Sequence, residues 1–162
     1  MQAFVAPLRE LAEYEAIQKS KKEKHGLIQI TGCVSSQKTH FMYALGDGFM
    51  YKIIACSSET KAKQIYEEYK ILGENVFQYP AKDLLFYQAD LRGKYLTKQR
   101  MEVFQAMMDG QDMTIVTTFD GFMDALIPLD EMKKRVISVK VGDALNFEQL
   151  KQDMVSLGYD RE

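Results

Sequence analysis

The chain has 162 residues, 46% of them hydrophobic and 27% charged, with 21 Lys and Arg against 23 Asp and Glu for a net charge of −2. That length makes one domain, or one domain with a piece of another, and it buries enough surface to need no metal or disulfide staple. The balanced charge excludes a domain that holds nucleic acid through bulk electrostatics, and two cysteines, Cys33 and Cys56, are too few for a disulfide framework.

No apolar run is long enough to span a bilayer, and the N-terminus lacks a basic stretch leading into a hydrophobic core. With free thiols suited to a reducing compartment, the expectation is a cytoplasmic protein.

Apolar side chains at Phe4, Leu8, Leu11 and Tyr14 recur at helical spacing and predict a first helix from Phe4 to about Ser20. It runs into a charged stretch, Lys19 to His25, that reads as a solvated helix end because Glu23 interrupts it and no aromatic is interleaved. Gly26 to Thr31 has the pattern of a first strand, followed by a polar loop and a helix from about Lys38 to Leu45 that Gly46 stops. A second strand, Phe49 to Cys56, leads through the capping residues Ser57 and Ser58 into a helix with Ala62, Ile65, Tyr66, Tyr69 and Leu72 on one face. Asn75 to Gln78 is a third short strand, and Ala81 to Leu96 reads as an irregular excursion rich in aromatics and charges, with room for one helical turn. In that excursion Phe86 and Tyr87, beside Asp83, Asp90 and Arg92, suit a surface contact or simple self-packing of the loop.

The spacing of Met101, Phe104 and Met108 predicts a helix over Thr97 to Asp109. A fourth strand at Met113 to Val116 and a short helix from Phe119 to Ile127 follow. Arg135 to Val141 reads as a fifth strand, and a last helix, Phe147 to Leu157, is capped by Asp143 or Asn146 and closed by Gly158. Strands alternating with helices imply parallel pairing through right-handed crossovers and a three-layer α/β domain with a mostly parallel sheet.

The residues that carry chemistry lie in the loop after the first strand, Gly32-Cys33-Val34-Ser35-Ser36-Gln37-Lys38-Thr39. Against the phosphate-binding pattern G-x-x-x-x-G-K-[ST] it keeps Gly32, Lys38 and Thr39, and its strand-loop-helix context is right. In such a loop backbone N–H groups wrap the phosphates, the lysine neutralises the terminal ones and the hydroxyl holds magnesium. The second glycine is Gln37 here, at the point where the backbone comes nearest the phosphate, so the cradle is expected to be blocked or deformed. Neither candidate strand end, Thr118 before Phe119-Asp120 nor Val141 before Gly142-Asp143, offers the acidic pair that positions magnesium and water. The loop therefore reads as vestigial, with no catalytic residue. His25 and His40 have no partner at metal spacing, and Cys33 has no base beside it, so these read as a pair of solvated histidines and an incidental thiol.

Several stretches taken in order carry a resemblance: Thr31-Gly32 with the loop ending in Lys38-Thr39, Tyr79-Pro80-Ala81-Lys82-Asp83-Leu84-Leu85-Phe86-Tyr87, Gln99-Arg100 at a helix, Ile115-Val116-Thr117-Thr118, and Leu126-Ile127-Pro128. Together they resemble the N-terminal, UvrB-like region of the bacterial transcription-repair coupling factors. The resemblance implies a RecA-like, P-loop NTPase-like domain with a degenerate phosphate loop at Gly32, Lys38 and Thr39. It implies an organisation of an N-terminal helix and basic linker over 1–25, a RecA-like domain over 26–140, and over 141–162 the start of a truncated UvrA-binding subdomain. On that reading the chain is an excised, noncatalytic scaffold that supports UvrA recruitment in transcription-coupled nucleotide excision repair, with no cofactor of its own. The ATP-dependent DNA translocase, its ATP and magnesium, and the contacts to RNA polymerase and DNA belong to other parts of the full-length family protein. By retaining Lys38 and Thr39 together, the chain also keeps a rival reading open, an ATP-binding fragment of a UvrB-like or superfamily 2 helicase.

Overall fold

The computed structural model describes residues 2–23, 27–82, 90–157 and 159, in two compact units, 1–124 and 125–162. The first unit opens with α1 (Gln2–Val5), a 3-10 turn over Ala6–Glu10 and α2 (Ala12–Lys22). The single helix expected from Phe4 to Ser20 is thus broken. Pro7 lacks an N–H and sits in the first positions of the 3-10 turn, and Leu11 adopts an extended backbone before the chain re-enters a helix.

Then follow α3 (Ser36–Leu45), β1 (Tyr51–Cys56), α4 (Glu59–Leu72), β2 (Val76–Tyr79), α5 (Asp90–Met108), β3 (Met113–Thr118) and α6 (Phe119–Phe122). Ser58 caps α4 by accepting the Lys61 N–H at 3.3 Å, as the sequence suggests. The helix α5 begins well before Thr97, inside the stretch read as irregular; residues 83–89, with Phe86 and Tyr87, lie outside the described residues. The helix expected to reach Ile127 ends at Phe122, with Met123 as its C-cap.

The three strands form a parallel sheet in the order β1-β3-β2, with Tyr51 opposite Met113 and Tyr79 opposite Thr117. The chain is therefore α/β, with an all-parallel sheet flanked by helices. Residues in register point the same way, which fixes the layers. Cys56 and Val116 face α4, where they pack with Ala62, Ile65 and Tyr66. Tyr79 and Thr117 face the other way, and Tyr79 meets Phe104 of α5 edge-on at 5.9 Å between ring centroids. So α4 and α5 cover opposite faces, the outcome expected when two right-handed crossovers run in opposite directions across a sheet. The central strand β3 is buried at every position, and this is why Met113-Thr-Ile-Val-Thr-Thr118 reads as a continuous run without alternation.

A separate small core joins the N-terminal segment to α3 through Leu8, Tyr14 and Ala44, with Phe41 and Leu45 against them. A ring nitrogen of His40 hydrogen-bonds the Phe4 carbonyl, so His40 ties these elements together and is not the solvated histidine of the sequence reading. At the end of α2, Lys21 donates to the Asp47 carbonyl at 2.5 Å and lies over the Phe49 ring. Part of the basic run is thereby folded back on the chain.

Two predicted strands do not form. Leu27 to Thr31 has no sheet partner among the described residues and is exposed, Leu27 at 89%. Arg135 to Val141, in the second unit, is likewise irregular and exposed. In both, β-branched residues supply the propensity, but a strand is stable only against a neighbour. The second unit holds α7 (Leu129–Lys134) and α8 (Phe147–Ser156). Of the two caps offered for α8, Asn146 takes the role, its side chain accepting from Glu148 and Gln149 at 3.1 and 3.2 Å. Asp143 instead accepts the Lys140 N–H at 2.8 Å.

Candidate functional site

The loop that runs into α3 is shaped by one glycine and one strained serine. Gly32 has φ +81° and Ser35 φ +35°, both in the left-handed region that favours glycine. Around the loop lies an open cavity of about 330 Å3 lined by Thr31, Gly32, Cys33, Lys38 and Phe41 among others. Two of the three sequence-predicted residues, Gly32 and Lys38, therefore share one concavity, and Lys38 is exposed. Among the described residues no strand precedes the loop, so it lacks the rigid sheet that anchors a working phosphate loop.

The third residue is elsewhere engaged. Thr39 is 2% exposed, and its hydroxyl donates to Oε2 of Glu68 on α4 at 2.5 Å. Glu68 also accepts from the Gln64 amide at 2.9 Å. These two hydrogen bonds, Thr39's the stronger influence, hold the Glu68 carboxyl below its usual value of 4.5. A carboxylate with a depressed pKa contributes stability above its unfolded value and loses that contribution as the pH falls through its folded one. The chain is therefore expected to lose stability faster than a Glu68→Gln variant as the pH drops below 4.5. Urea midpoints of the two proteins at neutral and acid pH measure the difference, and parallel pH curves would contradict it.

At the C-terminal end of the sheet, where parallel α/β sheets carry their sites, a second polar cluster appears. Arg100 of α5 is nearly buried; its guanidinium donates to the Pro80 carbonyl at 2.9 Å and to Oδ2 of Asp124 at 2.5 Å, and it lies 4.2 Å from the centre of the Tyr79 ring. Burial is the main cause of a raised Tyr79 pKa, and the hydroxyl has no partner among the described residues. Close by, Gly121 sits so tightly that a Cβ there would lie 2.5 Å from the Thr117 hydroxyl and 3.2 Å from the Ala81 nitrogen. In the sequence alone Arg100 stands out only as part of the Gln99-Arg100 stretch at a helix. Its burial was signalled by its phase, since positions 100, 103, 104 and 107 form one helical face and Arg100 is the charged member. Among the described residues no group of three His, Cys, Asp or Glu side chains is placed to hold a metal ion.

No acidic pair closes β3: Thr118 instead caps α6 by accepting the Gly121 N–H at 3.2 Å and approaches Glu59 Oε1, while Asp120 is exposed. No helix among the described residues is long and apolar enough to cross a membrane.

Compared with known proteins, the chain is 25% identical over 87 residues to the transcription-repair-coupling factor of Staphylococcus epidermidis, and 21% identical over 89 residues to that of Staphylococcus aureus. The similarity is distant and partial. It covers 54% and 55% of this chain but only 7% and 8% of those proteins, so the chain spans a small fraction of the length of the curated relatives that it matches. No protein-family model matches the chain, and no solved structure does.

Proposed function

We propose that the chain is a noncatalytic RecA-like scaffold acting in the coupling of transcription to nucleotide excision repair, where it supports recruitment of UvrA. The observation that carries this reading is the similarity of just over half of the chain to the transcription-repair-coupling factors of two staphylococci. The site supports it in kind. Thr39 is turned to Glu68, β3 ends in a capping threonine instead of a magnesium-holding acid, and Lys38 alone retains the disposition of a phosphate ligand. The parallel sheet flanked by helices suits a RecA-like fold, and residues 141–162, with the amphipathic α8, are the part assigned to the UvrA-contacting side. RNA polymerase and DNA would be engaged by other parts of the repair machinery.

The test is strand-resolved repair of ultraviolet lesions in cells with the coding segment for this chain deleted in frame. The expected result is that the transcribed strand loses its repair advantage while repair of the opposite strand continues. An unchanged strand bias would sink the assignment.

A further inference from the structure

We propose that the phosphate loop is closed from within, Gln37 serving as the side-chain occupant of the anion cradle beside two backbone carbonyls, and Glu68 as the clamp that withdraws the threonine hydroxyl. This deepens the noncatalytic reading and rests on it in taking the native loop to work without nucleotide. Gln37 places a Cβ where the loop pattern needs glycine. The geometry shows something more specific. The amide oxygen of Gln37 accepts the Val34 N–H at 3.2 Å, and the Gln37 N–H returns to the Val34 carbonyl at 2.9 Å. The Lys38 N–H is also taken, by the Ser35 carbonyl at 3.2 Å. These are the donors that in an open loop converge on phosphate oxygens. Here a neutral side-chain oxygen and two backbone carbonyls occupy them, much as the Gln half of a capping box reaches back to a helix entrance.

The second contact removes the remaining function of the site. A threonine that ligates magnesium must offer its oxygen to the metal, whereas Thr39 is buried and donates to a carboxylate. Closure thus has two separable parts, one on the anion and one on the cation. Lys38 is left facing the cavity with Gly32. Removing the Gln37 amide frees the Val34 N–H and should consequently open a weak site for a di- or triphosphate group, one that depends on Lys38 and is indifferent to magnesium until Glu68 is also removed.

The experiment titrates the intact chain and its Gln37→Gly and Gln37→Ala variants with pyrophosphate and with a fluorescent ATP analogue, following heat and fluorescence. The wild type is expected to show no saturable binding, and Gln37→Gly an affinity at least about tenfold above the detection limit. Adding Lys38→Ala to Gln37→Gly should abolish that binding, and adding Glu68→Ala should make it magnesium-dependent. Gln37→Ala keeps the Cβ and the helix start, so it decides the matter should the glycine variant not fold. Wild-type binding as tight as that of the variants would overturn the proposal, as would folded variants that both remain blank. Either failure leaves the strand-resolved repair assay untouched, so the two readings fall separately.

Discussion

Replacing Arg100 with alanine should cost the first unit about 3 kcal/mol of stability, enough to remove much of the margin of a small domain. The guanidinium does three things at once: it pairs Asp124, donates to the Pro80 carbonyl and covers the Tyr79 ring. An exposed ion pair would contribute little, but these side chains are only 10% and 20% exposed, so solvent cannot replace what is lost. The variant leaves a half-desolvated carboxylate and an unpaired carbonyl, and Tyr79 already has an unpartnered hydroxyl. Arg100→Lys should recover only part of the loss, because one ammonium does not match the planar fork that reaches Pro80 and Asp124 while stacking on the ring. Urea unfolding followed by circular dichroism measures both; a cost below about 1 kcal/mol would show that the cluster behaves as a surface pair.

Met113→Ala is the second large effect, also about 3 kcal/mol, for a different reason. Met113 is 1% exposed at the start of the central strand, so truncating its side chain leaves a void in the interior. Its backbone N–H donates to the Met50 carbonyl at 2.8 Å, so the strand is held in place and the void cannot close by sliding the register. The same urea experiment applies, with an undiminished slope expected if the fold is kept. Met113 and the Arg100 cluster lie near opposite ends of the sheet, since Tyr79 is in register with Thr117. Their costs should therefore add, within about 0.5 kcal/mol, in the double variant.

The sequence was most informative where local and long-range preferences agree. The β1-α4 unit carries a β-rich run, a serine cap and a helical stripe that all point one way, and it forms almost where expected. Leu27 to Thr31 and Arg135 to Val141 carry the same β propensity, yet neither pairs among the described residues, since pairing depends on a partner that the local sequence does not encode. The loop residues Gly32, Lys38 and Thr39 could be singled out by pattern alone. That Thr39 belongs to Glu68 could not, because the contact spans 29 positions and joins two helices through packing. Arg100 was half legible: its phase on α5 marks it as inward-facing, but Asp124, Pro80 and Tyr79 are brought to it only by the order of the strands.

That order also gives β1 two unlike sides. The Met50 carbonyl receives the Met113 N–H, so by alternation the backbone groups of Lys52, Ile54 and Cys56 turn toward β3 and those of Tyr51, Ile53 and Ala55 turn away. The outward groups have no strand beside them among the described residues, and the Tyr51 and Ile53 side chains on the same residues are exposed. Among the described residues only alternate peptide groups of β1 are held in the ladder, so amide exchange at Lys52, Ile54 and Cys56 is expected to be slower than at Tyr51, Ile53 and Ala55.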